Sequence, residues 1–308
     1  MKERNCLRAV ALALVALLLA GGLAAFAEVD SPYVENQWNY VDGSLDVSNG
    51  IPEDAEGALA RIRDAGVLTV ATEPYYPPQE FIDPDFEGQE MYQGADMELA
   101  RTIARRMGVE LEIVPMDFSE VLNAVRDGRC DLAISGLSFT PSRAVMVEMS
   151  KGYNYAQDAA GSGLLIRVED AGTIAGVADL AGRDIVAQSG SLQETLLAEN
   201  VFNYHEFRRL GSVQEIYEAL ESGDADAAMM DVESSQGYID SNPDCGLMLV
   251  PGVRFQLEEQ FDGDRVAGKK GELQLIYFVN GVIDELLESD QYRAWFEAYG
   301  QRAAELGM

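Results

Sequence analysis

The sequence predicts an α/β fold built as two similar lobes. Three observations carry that expectation. Strand-like and helix-like patterns alternate from about residue 57, a single strand–helix arrangement recurs later in the chain, and the length suits two modest domains. The first strand is "GVLTVAT" (66–72), a short apolar run. "DMELARTIARRMG" (96–108) then places Leu99, Ile103 and Met107 at helical spacing, with Asp96 expected as the cap and Gly108 as the stop. "VELEIVPM" (109–116) alternates as a strand. "SEVLNAVRDG" reads as a helix with Ser119 ahead of it and Gly128 behind, and "CDLAIS" as a strand starting at Cys130. Such alternation predicts a largely parallel sheet.

The recurrence lies between "NAVRDGRCDLAISGLS" (123–138) and "EALESGDADAAMMDVES" (218–234). Both read helix end, glycine, polar residues, aspartate, then a small-apolar strand ending in polar side chains. Ser212 and Glu215 spell a capping box at the start of the second helix. "GVLTVATEP" and "GRDIVAQSG" likewise both run from strand into turn.

Ahead of this body stand two segments of different character. Residues 1–27 combine Lys2, Arg4 and Arg8, a long apolar run and a small-residue site at Ala25-Phe26-Ala27, the pattern of a cleaved signal peptide. The alternative is an uncleaved anchor, since the run is long enough to span a bilayer. Cys6 precedes the apolar run, so it does not read as a lipid-attachment cysteine. Residues 28–56 carry turn formers, Tyr33, Trp38 and Tyr40, and no sustained period. They read as an N-terminal extension that either packs over the body or stays a tether.

Losing residues 1–27 removes three basic residues and one acidic, which leaves 19 and 52 and a formal charge of −33. So acidic a surface repels phosphate backbones and excludes nucleic acid as the expected partner. Cys130 and Cys245 are too few for a disulfide framework and are expected as free thiols.

Ligands of open α/β sheets bind outside the carboxyl ends of the strands. Here those ends are Glu73, Ser135 to Arg143, Gln188 to Ser191, and Asp231. In "ISGLSFTPSR", Thr140 caps a helix and Pro141 takes its first position, so free N–H groups there attract an anion. Arg143 adds a fork of donors suited to a carboxylate, helped by the hydroxyls of Ser135 and Ser138. Gly190 and Ser191 offer further N–H donors, and Asp231 an acceptor for an ammonium group. A carboxylate clamp with an ammonium acceptor describes an α-amino acid. Spacing alone also allows an ordinary cap, an Arg143 paired to Glu148 or another acid, and an Asp231 that is only a turn residue.

The run "ISGLSFTPSRAVMVEMSKGYNYA" resembles the signature of the extracellular solute-binding proteins of family 3, the amino-acid receptors of ABC importers. The likeness covers roughly residues 60–300, through "VLTVATEPYYPP", "LAGRDIVAQSGSLQE", "GDADAAMMD" and "VNGVIDELLESDQYRAWFEAYG". It implies a type II periplasmic-binding-protein fold, with two crossing strands and a ligand cleft between the lobes. Lobe 1 would be residues 57–156 and 256–308, and lobe 2 residues 157–255.

By the same resemblance, Arg143 binds the ligand α-carboxylate with Ser138 and the Ser191 region. Asp231 holds the α-ammonium near the Ser135–Gly136 backbone, Tyr76 and Phe118 sandwich the side chain, and Glu73 lines its subsite. It further implies an exported, monomeric binder with no cofactor and no metal, capturing an L-amino acid for a membrane permease; Glu73 beside Tyr76 points to a polar or cationic side chain.

The chain departs from the family pattern in four places. Gly94-Ala95-Asp96 replaces Gly-Phe-Asp, "QEFIDPDFEGQEMYQ" is longer than usual, Leu192 stands where a threonine is common, and "MSKGYNY" lacks an Asp-Pro.

An exported cyclohexadienyl dehydratase resembles these binders and would need a general acid or base, which Glu73 offers. The single histidine, His205, sits in "FNYHEF", where a structural role is expected. No Cys/His metal spacing, nucleophile elbow or phosphate loop is present. A relative that binds without transport is the third alternative.

Overall fold

The computed structural model describes residues 41–155, 161–255 and 263–308. The expected signal peptide and Tyr33, Trp38 and Tyr40 lie outside them. The described chain begins its regular structure with α1 (Gly57–Ala65) and β1 (Val67–Thr72), then the short strands β2 (Tyr75–Tyr76), β3 (Glu80–Ile82) and β4 (Tyr92–Gln93). After these come α2 (Ala95–Met107), β5 (Glu110–Pro115), α3 (Phe118–Arg126), β6 (Leu132–Ala133), α4 (Pro141–Met146) and β7 (Val147–Asn154). The long insertion between β1 and α2 thus folds as a small antiparallel sheet in the order β2-β3-β4. Asp83 and Asp85 at its tip both pair with Arg302.

A second run of elements follows: β8 (Ser162–Arg167), β9 (Asp184–Gln188), α5 (Leu192–Asn200), β10 (Glu206–Leu210), α6 (Val213–Ser222), β11 (Ala227–Asp231), α7 (Val232–Ser241) and β12 (Leu247–Leu249). The chain then returns through β13 (Asp264–Lys269) and closes with α8 (Leu273–Ser289) and α9 (Gln291–Leu306). The result is two five-stranded sheets, β5-β1-β6-β13-β7 and β10-β9-β11-β8-β12, one to each lobe.

The sheets are not uniformly parallel. In each, one strand runs against the other four: β13 in the first and β8 in the second. The cause is the route of the chain. β7 ends at the cleft with Asn154 and β8 starts there with Ser162; after β12, Phe255 pairs with Ser162 at the same edge and β13 starts at the cleft with Asp264. β8 and β13 therefore start at the cleft and run away from it, while their neighbours run toward it. Alternation along the sequence reveals the four concordant strands but not the one reversed by a crossing.

Burial follows the expected pattern. Leu68, Val70, Leu132 and Ile134 are fully buried, each contributing about 1.5–3 kcal/mol relative to exposure. In α2, Leu99, Ile103 and Met107 face the core, and Gly108 stops the helix in the left-handed region at φ 75°. Asp96 is not the cap. Gly94 takes that position at φ 123°, where a Cβ would lie 2.2 Å from the Gln79 carbonyl oxygen. Glycine alone fits there, which moves Asp96 inside the first turn and into the core. Ser119 likewise falls inside α3, whose N-cap is Asp117. Cys130 lies just before its strand, which starts at Leu132. The Ser212–Glu215 capping box and the Thr140–Pro141 start form as expected.

Residues 41–56 pack on the first lobe through aliphatic side chains. Val47 is 3 % exposed, and Val41, Leu45 and Ile51 pack around the same cluster. Asn280, buried on α8, donates from Nδ2 to the Val41 and Gly43 carbonyls and accepts from Lys151 N. Gly281 lets this segment approach, since a Cβ there would sit 2.1 Å from the Leu45 oxygen. Cys130 is buried in the first lobe, Cys245 is half-buried in the second, and both are free thiols. No helix among the described residues is long and apolar enough to cross a membrane.

Candidate functional site

The carboxyl ends of β1, β6, β9 and β11 converge on one cleft of about 1060 Å³ between the lobes. All nine residues singled out from sequence line it: Glu73, Tyr76, Phe118, Ser135, Gly136, Ser138, Arg143, Ser191 and Asp231. The cleft walls touch each other. A Cβ on Gly190 of the second lobe would lie 3.1 Å from Ser119 Cα of the first, and Tyr76 packs into the second lobe's core.

Arg143 sits in the first turn of α4, its amide donating to Thr140 Oγ1 at 3.2 Å. Its side chain is only 6 % exposed. Nη1 donates to the Ser138 carbonyl at 2.8 Å, Nη2 to the Gly190 carbonyl at 3.2 Å, and the guanidinium lies 5.6 Å from the Phe118 ring centre. It pairs with no carboxylate among the described residues; Glu148 pairs with Lys270 instead. Burial pulls the Arg143 pKa down to about 10, and the charge of Asp264 opposes that shift. A guanidinium has five donors, and the two carbonyls take two of them. The remaining fork suits a carboxylate in two-point contact.

The second lobe contributes less freely than expected. Ser191 is the N-cap of α5, and its hydroxyl accepts from Glu194 N. Gly190 N is taken by Glu194 Oε2 at 2.7 Å and Ser191 N by the Gln188 carbonyl, so neither is a free donor. The open N–H groups of this helix start are those of its first helical residues, Leu192 and Gln193, both on the cleft wall. Asp231 has a structural task as well. It is the N-cap of α7, with Oδ1 accepting from Ser234 N at 2.9 Å and Ser234 Oγ at 3.1 Å. Its other oxygen makes no hydrogen bond among the described residues, and burial raises its pKa.

Ser135 is 1 % exposed and its hydroxyl is fully committed inward, accepting from Glu73 N at 3.0 Å and donating to Glu80 Oε1 at 2.9 Å. Gly136 N donates to Asp96 Oδ2 at 2.9 Å. With φ at +52°, Gly136 leaves room for the Tyr76 ring, which a Cβ would meet at 2.9 Å. The Tyr76 phenol is pushed up by burial and by Asp231.

Glu73 is 2 % exposed, and neither carboxylate oxygen has a hydrogen-bond partner among the described residues. Burial lifts its pKa to about 8; the Gln188 amide draws it down without reaching hydrogen-bonding geometry, and Asp117 and Glu215 push it up further. Behind it lies a network absent from the sequence reading. Asp96, fully buried, accepts from Gly136 N, Tyr153 Oη and Tyr292 Oη, while burial and the Asp96 charge push Glu80 far up. Burial raises the Asp96 carboxyl as well, and its hydrogen bonds from Gly136, Tyr292 and Tyr153 oppose that rise. Asn154, Gln188, Gln193 and Asp264 also line the cleft. Gln188 is legible as a strand end, but Asp264 reaches the cleft only because β13 is reversed. His205 lies apart, exposed and paired with Asp184.

Similarity to known proteins agrees with this geometry. ArtP of Bacillus subtilis, an arginine-binding extracellular protein, is 29 % identical over 193 residues, 61 % of this chain and 70 % of that protein. AbpA of Streptococcus pneumoniae, an amino acid ABC transporter substrate-binding protein solved with L-arginine, is 33 % identical. Its TM-score is 0.69, over 79 % of this chain and 98 % of that one. AncCDT-1, described as an ancestral amino acid-binding protein and a precursor of cyclohexadienyl dehydratase, is 25 % identical. Its TM-score is 0.67, over 79 % of this chain and 99 % of that one. Residues 68–302 match the bacterial extracellular solute-binding proteins, family 3, and the chain belongs to that family.

Proposed function

We propose that the protein captures an L-amino acid with a polar or cationic side chain outside the cytoplasm and delivers it, as a monomer, to the permease of an ABC importer. In this reading residues 1–27 direct export and are cleaved. The observation that carries the proposal is Arg143, a buried cation with donors facing the cleft and no carboxylate partner among the described residues. Its charge calls for an anion, and the ligand α-carboxylate supplies one. Asp231 takes the α-ammonium from the opposite lobe, with Ser138 and the α5 start completing the carboxylate shell. Tyr76 and Phe118 flank the side chain, and Glu73 meets its far end.

Glu73 supports the cationic preference. A buried carboxyl with no hydrogen-bond partner among the described residues is an acceptor for a guanidinium or ammonium group, and the likeness to arginine binders points the same way. A thermal-shift screen over the twenty amino acids tests the proposal, since a ligand of the folded state stabilises by mass action. A raised melting temperature with arginine, lysine or histidine is the expected result, and no shift with any amino acid rejects it.

A second reading rests on Glu73 alone: a carboxyl titrating near 8 suits general acid–base work, as in a dehydratase. Formation of product from arogenate or prephenate would support it. Binding without turnover is the outcome expected here, as AncCDT-1 is itself described as a binding protein.

A further inference from the structure

Asp117 and Glu215 belong to different lobes and do not line the ligand cleft, yet they meet at one glycine. The point where a Cβ would project from Gly211 lies 3.5 Å from Asp117 Oδ1 and 3.3 Å from Glu215 Oε2. Asp117 is the N-cap of α3 but makes no side-chain cap bond. Glu215 holds the start of α6 through Gly211 N at 2.7 Å and Ser212 N at 3.3 Å. Neither carboxylate has a lysine or arginine partner among the described residues. Both act electrostatically on Glu73, the buried, unpartnered carboxyl at the adjoining end of the cleft. Three acidic groups thus converge where the lobes touch, and the contact exists only with the lobes together.

We infer that Asp117 and Glu215 form a like-charge contact between the lobes that opposes closure and makes it selective for ligands carrying a positive side chain. A cation beside Glu73, which burial keeps largely protonated, brings a positive charge next to Asp117 and Glu215 and offsets their repulsion, so the lobes close on it. A neutral ligand of the same shape leaves the repulsion in place. Selectivity then arises partly from two residues that touch no ligand atom, acting through the closure equilibrium. This rests on the amino-acid-binding reading and extends it to the choice among side chains.

The test compares L-arginine with L-citrulline, its neutral near-isostere, by calorimetry on the wild type, Asp117→Asn, Glu215→Gln and the double variant. Asparagine remains a favourable N-cap and glutamine keeps a capping box, so both helix starts survive. Citrulline is expected to bind the double variant about two- to five-fold more tightly than the wild type, the range for exposed charge pairs, while arginine gains less or loses affinity. A readout independent of the variants is ionic strength. In the wild type, citrulline binding should tighten with added salt, because the exposed interlobe pair is screened more than buried Glu73. Equal changes for both ligands, or citrulline binding indifferent to salt and to both substitutions, overturn the inference while leaving amino-acid capture intact. A wild type that binds neither ligand overturns the underlying reading, and the inference with it.

Discussion

Arg143 of the first lobe donates to the backbone carbonyl of Gly190 in the second at 3.2 Å, so the guanidinium expected to hold the ligand also ties the two lobes together. On the proposed function, ligand recognition and lobe closure share one side chain. Only glycine suits the partner position, since Gly190 has φ +78° and its missing Cβ would lie 3.1 Å from the Ser119 backbone.

This sharing predicts the outcome of a small change in the second lobe. Gly190→Ala should lower ligand affinity about ten-fold or more, by straining a left-handed backbone and holding the lobes apart. Calorimetry reads the loss, and small-angle scattering reads a more open ensemble with ligand present.

The Glu73 carboxyl makes a pH prediction with a definite sign. Its pKa is about 8 in the folded protein against an ordinary 4.5, so within that window the folded chain holds a proton that the unfolded chain has released. Stability should fall as pH rises from the lower value to the upper, by up to about 1.4 kcal/mol per unit from this group. Glu73→Gln should flatten that slope in melting curves taken across the window. An unchanged slope would show that the group ionises freely when folded.

Asp96 should be the most costly single polar residue of the first lobe to remove. Asp96→Ala strands Gly136 N, Tyr153 Oη and Tyr292 Oη, three buried donors, and each unsatisfied group costs about 1–3 kcal/mol. Denaturant unfolding should show a loss of about 3 kcal/mol or more. Because Gly136 forms the floor under Tyr76, ligand affinity should fall with it.

Much of this architecture was legible from local sequence, and the rest was not, for physical reasons. The Thr140–Pro141 start, the Ser212–Glu215 box and the Gly108 stop are decided within a few residues, and each formed as read. Strand ends facing the cleft follow from α/β order, which accounts for Glu73, Ser135, Gly136, Ser138, Arg143, Ser191 and Asp231; Tyr76 and Phe118 came only from the family resemblance, and all nine line the cleft. Asp96 was misread because a cap aspartate and a buried aspartate look alike locally. What separates them is the close pass of Gln79, in the turn between β2 and β3, over Gly94. The Gly190 and Ser191 amides were read as free because their acceptors, Glu194 and Gln188, follow from the turn's geometry rather than its composition. The reversed strands, and with them Asp264 in the cleft, depend on where the chain crosses between lobes, which residue periodicity does not encode. Likewise, packing of residues 41–56 depends on Asn280 and Gly281, far along the chain.

That packing predicts a stability effect remote from the cleft. Gly281→Ala places a Cβ against the Leu45 carbonyl, which should displace the segment or strain α8 at about 1–3 kcal/mol. Chemical denaturation checks it, with ligand affinity expected to be unchanged.

On the proposed function, Arg143 is a buried cation held for the carboxylate of an amino acid. Isothermal calorimetry of Arg143→Ala with the amino acid that most stabilises the wild type tests it most directly. Binding should fall at least a hundred-fold, because the ligand carboxylate would be buried without its partner, a loss of several kcal/mol. The ligand-free variant should melt at or above the wild-type temperature, since an unpaired buried charge has been removed. Affinity within a few-fold of the wild type would contradict the account.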